Sequence, residues 1–258
     1  MSRLPPLALA AACLSALALA ACQPPGGDET AFDARVKDYL MKHPEALRAA
    51  LDNMQAKEDA DEAKAEAAAD LKAKAALPSL RAALERDPRD FVANPDGSVT
   101  VTEFYDYRCP HCISIAPRVV SLIRARPDVR FVFKEMPIFG DTSEHAARAA
   151  LAAKAQGKDY VGLYAALMDA HPLTDAEIDR IAAEKGVDLA AMNAPNALAK
   201  DKIQLDDVQK LAEKLAIDGT PGFVVGDTII HGEDYDALAT AIARAGGKAQ
   251  IAQTGGRP

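Results

Sequence analysis

"FYDYRCPHCISI", residues 104–115, sets Cys109 and Cys112 two residues apart between an aromatic run and an apolar one. Upstream, Val99, Val101, Glu103, Tyr105 and Tyr107 alternate with Thr100, Thr102, Phe104 and Asp106, the period-two pattern of a strand. Downstream, Ile113, Ile115, Ala116, Val119, Val120 and Ile123 recur as the apolar face of a helix. The pair thus stands where a strand delivers the chain to the surface and a helix begins. A structural staple, a metal clip and a redox centre all use two cysteines at this spacing, so the rest of the chain has to discriminate.

The sequence holds four cysteines. The opening MSRLPPLALAAACLSALALAAC has one positive charge at Arg3, an apolar stretch and then small residues, which is the layout of a secretory signal peptide over 1–21. It is too short and alanine-rich for a membrane span. Leu19-Ala20-Ala21-Cys22 resembles a bacterial lipobox, with Cys22 as the lipidated first residue and 22–29 as a tether to a membrane. Ordinary cleavage after Ala18-Leu19-Ala20 is the alternative and leaves Cys22 as a stray thiol. Export places the domain where disulfides persist. Cys13 leaves with the signal, so Cys109 and Cys112 are the cysteines left for chemistry. A ring this small constrains little unfolded-chain entropy, which weakens the staple. Structural zinc takes four ligands, whereas His43, His145, His171 and His231 are scattered and are expected at surface or capping positions. No metal site is assigned, and a two-coordinate Cu(I) carrier is the metal alternative that two thiolates allow.

A chain of 258 residues accommodates one ordinary core with a smaller appendage, and a net charge of −8 argues against nucleic acid as a partner. From Thr30 to about Asp87 the pattern is helical. Phe32, Val36, Tyr39 and Leu40 form one apolar stripe, and Leu47, Leu51 and Met54 form a second after His43-Pro44 breaks the helix. Two short amphipathic helices cannot bury both stripes alone and need either the main domain or copies of themselves; in the second case 30–93 is a helical oligomerisation segment and linker. Its charged, alanine-rich middle, with Glu58, Glu62 and Glu66 four apart, is expected to be a marginal spacer helix ended near Pro78.

The main domain is placed at 94–246, after the turn Asn94-Pro95-Asp96-Gly97. A second strand from Val129 to Lys134 would pair in parallel with the first across the Cys-bearing helix. Helical sequence follows, with an inserted subdomain at about 143–205. Short strands at Phe223–Val225 and Thr228–His231 turn at Gly226-Asp227, and a helix over Tyr235–Ala245 precedes a tail at 247–258. The class is α/β.

EFYDYRCPHC (103–112) and DGTPGFVVG (218–226), at this separation and order, resemble the DsbA family of periplasmic thiol-disulfide oxidoreductases, a thioredoxin fold with an inserted helical subdomain. The chemistry fits independently. A cysteine at a helix N-terminus meets unpaired N–H groups and the positive end of the dipole, which favours its thiolate. Cys109 is therefore the candidate nucleophile and Cys112, one turn in, the buried resolving thiol, with no cofactor beyond their disulfide. Pro110 suits the first helical position, and His111 is expected to stabilise the Cys109 thiolate. The resemblance assigns Thr220-Pro221 as the cis-proline loop that faces the cysteines. It also assigns Glu103 as a buried acid that exchanges protons with Cys112, for which Lys134 is a plausible partner.

Direction of electron flow is divided. Cys-Pro-His-Cys resembles the oxidases, whereas Thr220 before the proline resembles the isomerases. The segment FDARVKDYLMKHPEALRAAL resembles the trimerisation stalk of ScsC-type proteins, which shuffle wrong disulfides. The resemblance implies a homotrimer in the periplasm of a Gram-negative bacterium acting on unfolded or misoxidised exported proteins. A membrane reductase of ScsB or DsbD type would keep an isomerase reduced, and a DsbB-like partner would reoxidise an oxidase.

Overall fold

The structure, a computed structural model, describes residues 29–246, so the expected signal peptide, Cys22 and the tail at 247–258 lie outside the described residues. The chain divides into two compact units at Lys64. In the first, α1 (Glu29–Lys42) stops where Pro44 opens α2 (Pro44–Glu85), since proline is tolerated at a helix start and not within the preceding turn. Leu40 and Ala46 are half-buried there, and every other side chain described from 30 to 64 is exposed.

α2 does not end near Pro78. It runs through to Glu85, because Leu77 and Leu84 are fully buried in the sheet domain and that burial outweighs one backbone bond lost at the proline. The domain boundary expected at Asn94 moves upstream for the same reason. Residues 91–93 form an edge strand, β1 (Phe91–Ala93), and Leu77 and Leu84 in the last turns of α2 pack in a core cluster of the same sheet domain.

The sheet holds β2 (Val99–Tyr105), β3 (Val129–Glu135), β4 (Gly222–Val225) and β5 (Thr228–His231), in the order β1-β3-β2-β4-β5. β2 and β3 are parallel, joined through α3 (Pro110–Ala125), while the remaining pairings are antiparallel. Within β2 only Thr100 is partly exposed, as expected of a central strand covered on both faces. Val101, Tyr105, Phe131 and Phe133 face one layer that includes residues of α3 and of α9 (Tyr235–Arg244). Phe104 and Val224 face the other, with Leu77 and Leu84 of α2 and with Val208 and Leu211 of α8 (Pro195–Lys214).

Between β3 and β4 the inserted helices are α4 (Asp141–Ala155), α5 (Tyr160–Asp169), α6 (Asp175–Glu184) and α7 (Leu189–Met192), and α8 closes the crossover. His145 of α4 is buried rather than at the surface. Its Nε2 lies 2.8 Å from Asp179, and Arg148 donates to its Nδ1 at 2.8 Å, so it fastens α4 to α6.

Candidate active site

Asp106, the first residue past β2, organises the turn into α3. Its buried carboxylate accepts from the N–H of Arg108 (2.7 Å), Ile138 (2.7 Å) and Phe139 (3.0 Å) and from the Ser143 hydroxyl (2.8 Å). Its carbonyl accepts from the Cys109 N–H at 3.2 Å. One side chain therefore fixes both the approach to Cys109 and the loop after β3, and no local pattern in the sequence marked it.

Cys109 is the N-cap of α3, in an extended conformation, and Pro110 is the first helical residue. No side-chain oxygen caps the helix, which leaves its first N–H groups free to face the sulfur. The Cys109 thiol is lowered to about 5. The hydrogen bond from Cys112 contributes most, and burial opposes it. The Thr220 hydroxyl and the N–H groups of Cys112 and His111 add to the lowering. Protonated, Cys109 Sγ donates to the Thr220 carbonyl at 3.0 Å. The sulfur's residue is only 1% exposed although Arg108, Pro110 and His111 around it are exposed, so the nucleophile is not delivered bare to the surface as the strand pattern suggested. The loop at Thr220 covers it.

That loop is positioned by β4, whose Gly222 pairs with Phe104 of β2. The Thr220-Pro221 bond is cis, and the Thr220 side chain is buried. A second cis bond, His171-Pro172, precedes α6 in the inserted subdomain.

Cys112 is fully buried, and its thiol is pushed far up, first by burial, then by the hydrogen bond it gives Cys109 and by the charges of Cys109 and Glu103. The two thiols are free. A low thiol beside a high one is the arrangement in which one sulfur attacks and the other waits to be deprotonated.

His111 departs from its expected place. Its side chain is 66% exposed and its Nδ1 lies 3.3 Å from Glu233 Oε1, so the group that reaches the Cys109 sulfur is the His111 backbone N–H. The helix start presents the amide inward and the ring outward. Glu233, which sequence reasoning missed, is held below the usual carboxylate range by Ser114 first and His111 second.

Glu103 is fully buried on the α3 side of β2 and pushed up to about 8 by burial, with the Tyr164 hydroxyl opposing and the charge of Glu135 assisting. Tyr164 donates to its Oε1 at 3.4 Å, and Oε2 has no partner. Lys134 is not its partner. In the β2–β3 register Lys134 stands opposite Phe104, so it points to the other face, where it pairs with buried Asp90 and donates to the Ala83 carbonyl at 2.6 Å. Strand alternation makes the two sides mutually inaccessible.

Glu135, also missed, lies two residues past Phe133 on the face Glu103 occupies. Its Oε1 accepts from Tyr105 (2.5 Å), Tyr160 (2.6 Å) and Tyr107 (3.3 Å), its Oε2 has no partner, and burial pushes it up to about 8. Four of the six tyrosines in the chain line this pocket of carboxyls, and their number near one strand and one helix was the available signal. Among the described residues no group of three or more His, Cys, Asp or Glu side chains is arranged to hold a metal.

The family model of the DSBA-like thioredoxin domain matches residues 100–243, more than half of the chain. The chain belongs to the DSBA-like thioredoxin family. The thiol:disulfide interchange protein DsbA of Bordetella pertussis is 31% identical to this DSBA-like chain over 163 residues, which is 54% of this chain and 71% of that one. A crystal structure of Proteus mirabilis ScsC in a transitional conformation is 28% identical, with a TM-score of 0.60, and the match covers 86% of this chain and 98% of that one. The Na(+)/H(+) antiporter NhaA 3 of Salinispora tropica is 30% identical over 176 residues, 66% of this chain, but this chain spans only 27% of the antiporter's length. Among the described residues no helix is long and apolar enough to cross a membrane. The DSBA-like domain is a thiol-disulfide oxidoreductase domain of the DsbA and ScsC type.

Proposed function

We propose that the protein is a periplasmic disulfide isomerase that corrects misoxidised exported proteins, and that copies assemble, as trimers, through residues 30–56. The observation that carries this reading is the pair of uncovered stripes on α1 and α2. Phe32, Tyr39, Leu51 and Met54 are each more than half exposed, which water disfavours unless another copy covers them. The likeness to ScsC supports it, since that match extends over 86% of the chain and the match to DsbA over 54%.

In the exchange, the Cys109 thiolate attacks a substrate disulfide, forming a mixed disulfide and releasing a substrate thiolate. Either a different substrate thiolate attacks the substrate sulfur of the mixed disulfide and displaces the Cys109 thiolate, which leaves the substrate with a rearranged disulfide, or Cys112 attacks the Cys109 sulfur and displaces the substrate thiolate, which reduces the substrate and oxidises the pair. Glu103 accepts the Cys112 proton in the second route. Several such domains on one assembly raise the effective concentration at which a bound substrate meets a second thiol.

A DsbA-like oxidase is the second reading, favoured by the low Cys109 thiol, which stabilises the reduced pair and makes its disulfide a stronger oxidant. The test uses the mature protein in a glutathione buffer with a scrambled multi-disulfide substrate. The isomerase reading requires recovery of substrate activity that vanishes in Cys109→Ser and falls severalfold when residues 30–56 are deleted. Rapid oxidation of a reduced substrate with little recovery selects the oxidase. Binding of one Cu(I) per reduced pair with neither activity selects a copper carrier. A monomer by light scattering at micromolar concentration ends the assembly claim.

A further inference from the structure

Glu233 lies between β5 and α9 and belongs to neither, yet its place is fixed from both sides. Gly232 before it has a φ of 77°, a conformation that favours glycine, and donates its N–H to the Pro221 carbonyl at 2.8 Å, which ties the segment to the loop that covers Cys109. Asp234 after it is the N-cap of α9, and its side chain accepts from the Ala237 N–H at 2.9 Å. Tyr235, which opens α9, packs against α3, since the Arg118 guanidinium sits over its ring, 5.0 Å from the centroid. What this anchored segment brings to the first turn of α3 is a carboxylate. Glu233 Oε1 lies 3.3 Å from His111 Nδ1, and the carboxyl is held low by Ser114 first, one turn along the same face of α3, and by His111 second.

We propose that Glu233 is a positioning residue for the exchange reaction, which holds the His111 ring outward from the Cys109 sulfur and so limits how far the reduced pair is stabilised. A protonated imidazole turned toward the sulfur stabilises the thiolate and makes the disulfide a stronger oxidant. Here the ring is 66% exposed on the Glu233 side, and His111 reaches the sulfur through its backbone N–H. The carboxylate acts twice. It fixes the ring's direction, and it offsets the imidazolium's field at the sulfur, because the two charges together sum to zero. A pair restrained in this way both opens and forms substrate disulfides, which is what isomerisation asks of it.

This role rests on the reading of Cys109 as the exchanging thiol, and the test separates the two. The mature protein is equilibrated with glutathione disulfide, whose reduction to two glutathione thiols oxidises the pair, at about pH 6, where an ordinary imidazole is mostly charged. The unaltered chain, Glu233→Gln, His111→Ala and the double variant form a closed cycle. Glu233→Gln should lower the equilibrium constant for oxidation about threefold, the scale of one exposed ion pair, and bring the thiolate absorbance in at lower pH. In the His111→Ala background the same change should alter the constant by less than about 1.5-fold, because a screened charge acting over a longer distance is all that remains. Equal falls in the two backgrounds would mean that Glu233 acts on the sulfur by its own charge, and they overturn the positioning role. No change in the presence of His111, or a rise, overturns it as well. If the unaltered protein does not exchange with glutathione disulfide, the reading of Cys109 fails and takes this role with it.

Discussion

On the face of the sheet toward α3, Glu103 and Glu135 are buried with one oxygen each left without a partner, whereas on the face toward α2 and α8 Lys134 is buried against Asp90 and the Ala83 carbonyl. Both faces exclude water, yet they treat charge differently. Both carboxyls are raised to about 8, chiefly by burial, and the charge of Glu103 reaches Cys112. Asp90 is raised only to about 6, because burial pushes it up while the charge and hydrogen bond of Lys134 pull it back. One face leaves carboxyl oxygens unpaired near the cysteine-bearing helix, the face proposed above for proton exchange, and the other ties α2 to the sheet through Lys134.

The largest effect expected from disturbing this division is on stability. Lys134→Ala leaves Asp90 and the Ala83 carbonyl without their donor in the interior and should cost about 3–5 kcal/mol in urea unfolding, while the folded fraction keeps an unchanged Cys109 thiolate absorbance. A loss below about 1 kcal/mol would mean that the pair is not a brace.

The second effect is on the redox equilibrium. The Cys109 value in the folded dithiol, about 5, lies below its ordinary value of 9.0, so this stabilisation of the reduced form is fully present above about 9 and is lost as pH falls through 5. Glutathione thiols stay protonated up to about pH 8, so oxidation of the protein by glutathione disulfide takes up one proton between pH 6 and 8. The equilibrium constant for that oxidation should fall about tenfold per pH unit across the window. A flat profile would show that the arrangement at the start of α3 does not hold the thiolate.

The smallest effect sharpens the proton-exchanging face. Glu103→Gln should slow resolution of the mixed disulfide by Cys112 about tenfold in single turnover and remove the inflection near pH 8, because the rate follows the ionised carboxylate. Glu135→Gln should instead move that inflection to lower pH, since it deletes a neighbouring negative charge from Glu103. An inflection that survives in Glu103→Gln would transfer the role elsewhere.

Much of this was legible in order along the chain. The alternation from Val99, the helical stripe from Ile113 and the turn at Gly226-Asp227 report local geometry, and local geometry is what periodicity encodes. The strand–helix–strand unit, the closing hairpin and the position of Cys109 at a helix start could therefore be read directly, and the burial of Glu103 followed from the face it shares with Val101 and Tyr105. The partners of buried groups were not legible. The lysine nearest in sequence terms, Lys134, proved to be one residue out of phase with Glu103, and a one-residue offset in a strand is a change of face. His111 was read by its side chain, whereas the helix start uses its amide. Pro78 was read as a stop, and burial of Leu77 and Leu84 carried α2 past it.

The sequence alone thus determined the class, the strand–helix–strand unit with the closing hairpin, and the placing of Cys109 and Cys112 at a helix start, because each depends on residues close together in the chain. Only the tertiary structure decided which carboxyls are buried among the tyrosines, which ion pair braces the opposite face and which loop covers Cys109. Those depend on register between strands and on loops from distant parts of the sequence meeting at Asp106, and desolvation, which sets the protonation of every buried group, exists only once the core has closed around it.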